Sequence, residues 1–137
     1  MSASLASSGT APLLAAGVTS GTWRTFEVET RKVVVTHAAF PSQNLSPEEQ
    51  WELAETGAWI EHCFTTTHTG KAPWWAACDA IHRVGAQRTI LSTDLGQTTN
   101  SAVPLGFAMY AQTLLDNGFG AEQVRRMAVV NTGGLVD

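Results

Sequence analysis

The chain has 137 residues, of which 44% are hydrophobic and 15% charged, with a formal net charge of -4. That is enough apolar material for one folded domain with a real core and excludes a disordered polymer. No basic cluster exceeds Arg31-Lys32 or Arg125-Arg126, so the electrostatic footprint of a nucleic-acid binder is missing. Cys63 and Cys78 have no zinc-finger spacing, and reduced thiols in a cytoplasmic protein are expected.

Residues 1–25 are dominated by Ser, Ala, Gly and Thr and read as a flexible leader, with structure lacking to about residue 22. The apolar stretch Ala11–Val18 is interrupted by Pro12 and has no Lys or Arg before it, which argues against a signal peptide. No apolar run reaches the roughly 18 residues of a membrane-spanning helix.

The folded segment is expected over 26–137. Lys32-Val33-Val34-Val35-Thr36-His37 is a β-branched run that predicts a buried strand ending near His37. Ser46-Pro47-Glu48-Glu49 supplies a helix cap, a proline at the first helical position and the glutamate of a capping box. That helix should stop at Gly57. A second strand is expected over 58–63.

Trp74, Ala77, Cys78 and Ile81 fall on one face of a helix that begins after Pro73 and stops at Gly85. Thr89-Ile90-Leu91-Ser92-Thr93 predicts a third strand, ending at Asp94. Two helices should close the chain, over 103–116 and 121–130, the latter burying Val124, Met127 and Ala128. Strands alternating with helices favour a parallel α/β arrangement joined by right-handed crossovers.

Each predicted strand ends in a group able to bind a metal: His37, His62 and Asp94. Carboxyl ends of parallel strands open onto one face, so the three should converge there. Imidazole and carboxylate suit zinc, manganese or iron, and a bound metal lowers the pKa of water to about 7. Asp94 could equally accept that water's proton. The plainer readings are a hydrogen-bonded structural histidine and a turn-capping aspartate. Glu61 should point away from His62, to the opposite face of its strand.

The remaining polar groups invite less. His68 is expected in a polar loop over 65–71, where it could touch substrate or simply be solvated. Gln97 and Asn100, in the loop after Asp94, are further candidate substrate contacts. His82 suits the last turn of its helix, and Trp74-Trp75 suits packing. Asn131-Thr132-Gly133-Gly134 lacks the strand and lysine of a phosphate loop.

Taken together, Val35-Thr36-His37, Ile60-Glu61-His62-Cys63 and Ile90-Leu91-Ser92-Thr93-Asp94 resemble the last strands of an amidohydrolase-superfamily (β/α)8 barrel. The tail Val129–Leu135 is similar to the Asn-Pro-Ala-x-Leu segment that ends such barrels, without its proline and alanine. The likeness covers about residues 30–137 and is nearest to an uncharacterised amidohydrolase-like subfamily of unknown function.

The resemblance implies the C-terminal three strands of an incomplete TIM-like barrel and a divalent metal, zinc first and manganese or iron as alternatives. It implies hydrolysis of an amide, ester or related bond of a small molecule. His37, His62 and Asp94 are the candidate ligands, with Asp94 the catalytic residue as ligand or general base; His62, on what would be the seventh strand, is not at a usual ligand position of the superfamily. The superfamily's first-strand His-x-His pair is absent; the histidines are His37, His62, His68 and His82. The isolated chain is therefore expected to be inactive and to need the missing barrel half or self-association. The alternative is a non-catalytic α/β module acting in assembly or ligand binding.

Overall fold

The computed structural model describes residues 10–14, 25–29 and 33–136. Within the expected leader, strand β1 (Thr10–Leu14) pairs antiparallel with β2 (Thr25–Glu29), Pro12 opposite Glu27. A flexible leader is therefore not the whole account of the first 25 residues. The rest of that segment lies outside the described residues.

A three-stranded parallel sheet forms the centre, in the order β3 (Val34–Val35), β4 (Trp59–Cys63), β5 (Thr89–Ser92). The parallel alternation expected from the sequence is thus present as a mixed α/β fold. The first strand is shorter than expected. It stops at Val35 because the chain turns over 36–39, with His37 at φ +56° and the Phe40 N–H donating to the His37 carbonyl (2.8 Å).

Helix α1 (Pro47–Glu55) starts on the expected capping box: the Glu49 N–H donates to Ser46 Oγ (3.2 Å) and the Ser46 N–H donates to Glu49 Oε2 (2.8 Å). It ends before Gly57, at φ +103°, a conformation that only glycine adopts without strain. A short helix, α2 (Phe64–His68), leaves β4 directly, where the sequence suggested a polar loop. Its threonines 65–67 are buried, so this polar run is packed rather than solvated.

Helix α3 (Trp74–Val84) buries Ala77, Cys78, Ala80 and Ile81 and lies against α1. Arg83 ties the two together with paired 2.8 Å bonds to Glu48 and by lying over the Trp51 ring. Helix α4 (Val103–Asp116) follows β5 and buries only a narrow stripe, Gly106, Tyr110 and Leu114.

The last expected helix is divided into α5 (Ala121–Arg125), a π-helical turn over 126–130 and α6 (Asn131–Gly133). Met127 and Asn131, four residues apart, both face inward. Asn131 Nδ2 then donates to the carbonyls of Ala86 (2.8 Å) and Thr89 (2.7 Å), latching the chain's end to the start of β5.

The core lies between the sheet and the helices. Register places Val35, Ile60 and Thr89 on one face, with His62 and Leu91 further along it. Ile60 packs with Ala38 and Ala54, while Leu91 packs with Phe64, Cys78, Ile81, Tyr110, Leu114 and Met127. The opposite face carries Trp59, Glu61, Cys63, Ile90 and Ser92.

Candidate functional site at the carboxyl edge of the sheet

Three chain segments leave the carboxyl edge, two loops and the start of α2, and they are stitched together. The Ala38 N–H donates to the Glu61 carbonyl (3.1 Å), and the Thr65 N–H donates to the Thr93 carbonyl (3.2 Å). His37 lies two residues beyond the end of β3, Thr65 two beyond β4 and Asp94 two beyond β5. Equivalent departures from parallel strands bring these side chains to one place.

His37 Nε2 lies 4.0 Å from Asp94 Oδ2, an ion pair whenever the imidazole is protonated. Thr65 Oγ1 donates to the same Asp94 Oδ2 at 3.0 Å. The site stays open to solvent, with the His37 side chain 34% and the Asp94 side chain 49% exposed. His37 Nδ1 is buried without a hydrogen-bond partner among the described residues.

Both members of the pair occupy left-handed backbone, His37 at φ +56° and Asp94 at φ +51°. Non-glycine residues there are strained, and such strain concentrates where a side chain must be aimed. Two chemically active residues in the same unusual conformation, at equivalent strand ends, mark this edge more strongly than either residue type alone.

His62 belongs to a different environment. Alternation along β4 turns it toward the helix layer with Leu91, and it is only 2% exposed. Neither ring nitrogen has a hydrogen-bond partner among the described residues. Burial depresses its pKa to about 4, so the ring is neutral at physiological pH. The expected convergence thus holds for His37 and Asp94, and His62 stands apart from them.

Thr65 takes the place that the sequence reading gave to His62. Nothing in Thr65-Thr66-Thr67 distinguishes it before the strand end is located. Glu61 shares the Cys63 face, the side nearer Asp94, rather than the helix side. The Cys63 thiol receives a hydrogen bond from Ser92 Oγ (3.2 Å). Burial first, and then the Glu61 and Asp94 carboxylates, push its pKa up to about 11 against the opposing hydrogen bonds. Cys63 is therefore held as a thiol and is no nucleophile at neutral pH.

The proposed substrate contacts are also placed. His68 ends α2, exposed, with its ring stacked on Phe64 at 4.5 Å. Gln97 and Asn100 face each other, Asn100 Nδ2 donating to Gln97 Oε1 and the Asn100 N–H to the Gln97 carbonyl (3.0 Å). Their amides are partly engaged with each other.

Among the described residues no group of three His, Cys, Asp or Glu is arranged to hold an ion. His37 and Asp94 supply two donors, whereas a hydrolytic zinc needs three from protein. The described residues therefore do not fit a complete metal centre. No helix among them is long and apolar enough to cross a membrane.

Comparison of the sequence with family models and with curated proteins finds no match.

Proposed function

We propose that the chain is the C-terminal segment of a hydrolase of the amidohydrolase-like barrel type, with His37 and Asp94 on its reaction edge. The observation that carries this reading is the 4.0 Å approach of His37 to Asp94 at the carboxyl edge of a parallel sheet. That edge is where parallel α/β enzymes place their chemistry. Asp94 accepts a proton from an attacking water, and Thr65, through its bond to Oδ2, directs the free carboxylate oxygen toward that water. His37 Nε2 lies 4.0 Å from the same Oδ2 and polarises the small-molecule amide or ester under attack. In the barrel reading, further donors for a zinc, manganese or iron ion come from outside the described residues.

The test is hydrolysis of chromogenic esters and amides by the chain, alone and with a polypeptide carrying the early strands of such a barrel supplied in trans. Turnover is expected only with the complement, and loss of at least 100-fold, on the order expected for a general base, in Asp94→Ala. Turnover indifferent to both His37→Ala and Asp94→Ala would refute the reading. Zinc calorimetry on the chain alone should give weak binding; tight, stoichiometric zinc lost in both variants would make this a complete minimal site.

A second reading, a non-catalytic assembly module, is favoured by one observation. Val103, Leu105 and Met109 lie exposed on α4, and no charged residue occurs between Asp94 and Asp116. If the chain forms a stable complex through this face and hydrolyses nothing with the complement present, that reading prevails.

A further inference from the structure

Asp94 sits on a strained residue at the start of an exposed loop, and something has to hold it there. Thr65 contacts only its carboxylate. The backbone is fixed from the next residue: Leu95 is partly buried against the main core cluster, and its N–H reaches Thr93 Oγ1 at 3.4 Å. The Leu95 side chain lies directly over Gly106 of α4. A Cβ built at Gly106 would lie 2.1 Å from Leu95 Cδ1 and 3.4 Å from Phe64 Cε1.

Gly106 is buried and helical, away from any position that needs left-handed backbone. Glycine inside a helix weakens it relative to alanine, so its presence calls for a packing reason. The reason here is the notch it opens in α4. A residue without a side chain leaves room for Leu95 to pack against the cluster that holds Phe64 and Tyr110.

We propose that Gly106 and Leu95 are positioning residues for Asp94: the leucine seated in the glycine notch fixes the β5–α4 loop and thereby aims the carboxylate. This rests on the reading of Asp94 as the reactive group, yet it can fail separately from it. Leu95 immediately follows Asp94, so seating its side chain in the notch restrains the backbone that leaves the Asp94 ψ angle, and freeing it removes that restraint. Thr65 Oγ1 is set by α2 and by its own N–H bond to Thr93, and it stays behind as a fixed reference.

The test uses the full chain labelled with aspartate carrying carbon-13 at the side-chain carboxyl. The sequence holds four aspartates, Asp79, Asp94, Asp116 and Asp137, and Asp94→Asn identifies the relevant signal by its loss. Spectra of sedimented protein under magic-angle spinning make the readout independent of self-association. Thr65→Val gives the shift of a carboxylate freed from its donor. Leu95→Ala and Gly106→Ala are expected to move the Asp94 signal toward that value while the other three stay in place.

Leu95→Ala opens space without a clash and decides the matter if Gly106→Ala fails to fold. An Asp94 signal at its native position in folded Leu95→Ala overturns the proposal, because the leucine is then packing alone. If instead the signal moves as expected while Asp94→Ala retains full turnover with the barrel complement, the positioning device stands and the hydrolase reading falls.

Discussion

The two ends of the central sheet handle the same backbone problem in opposite ways. At the amino end, where the chain must enter left-handed or still less accessible conformations, it uses glycine: Gly57 at φ +103° and Gly85 at φ +86°. Polar groups there are matched. Asn131 caps Ala86 and Thr89, Arg88 Nη1 donates to the Gly57 carbonyl (3.1 Å), and Thr89 Oγ1 donates to the Gly85 carbonyl (3.0 Å). Just past the strands at the carboxyl end, His37 and Asp94 hold left-handed positions without glycine, as Asn44 does further along the first loop. His37, His62 and Thr66 carry buried atoms without a hydrogen-bond partner among the described residues, as does Gln50 on α1. One end is arranged for stability, and the other gives up stability to present side chains.

Acid should break this contrast first, through His62. Its pKa is about 4 in the folded chain, below the ordinary 6.5, so the unfolded state binds more protons between those values. Stability is therefore full above pH 6.5, falls as the pH drops through this window and levels off below about 4. The loss integrates to on the order of 3 kcal/mol. Urea unfolding between pH 7 and 4 should show it, and His62→Leu should remove that part of the slope. A variant with an unchanged acid profile would mean that His62 is not buried as described.

The amino end should respond next. Asn131→Ala strands two carbonyls, one of them buried within the sheet, and is expected to destabilise by about 2 kcal/mol in urea or thermal unfolding. Asn131→Asp cannot donate to either carbonyl and should be at least as damaging. If both are neutral, the latch carries no weight and the amino end is less well matched than its geometry indicates.

The sharpest comparison carries the smallest effect. His37→Gly should stabilise the chain by roughly 1 kcal/mol through relief of the left-handed conformation, whatever it does to activity. Gly85→Ala should do the reverse by a similar or larger amount, even though a Cβ there meets nothing within 4 Å. Equal signs for the two substitutions would dissolve the distinction between the ends.

Much of the α/β framework was legible because its signals are local. Ser46-Pro47 and Glu49 mark the start of α1, Gly57 and Gly85 mark helix ends, and runs rich in β-branched residues mark β3 and β5. The candidate site was half legible. His37 and Asp94 were found because their residue types are chemically conspicuous and follow apolar runs.

His62 attracted the same attention, but its strand is apolar on both faces, so the hydrophobic pattern could not say which way it pointed. Thr65 was hidden for the opposite reason: three consecutive threonines look like loop until the end of β4 is known. The π-helical turn left no mark either, since Val124, Met127 and Ala128 suit an ordinary helix equally well. The β1–β2 pairing falls in a composition that gave no sign of a strand.

The shared two-residue overhang has a consequence for how such a chain can change over generations. His37, Thr65 and Asp94 are each placed by counting from their own strand end, not from one another along the chain. Lengthening α1 by a turn, or exchanging the loop before α3, alters the spacing in sequence without moving the three side chains in space. A single-residue deletion between Val35 and His37 would turn the imidazole to another side while leaving every helix intact. Helix lengths and the loops between them are thus free to drift in sequence, and the few residues just past the strands are the ones that keep count.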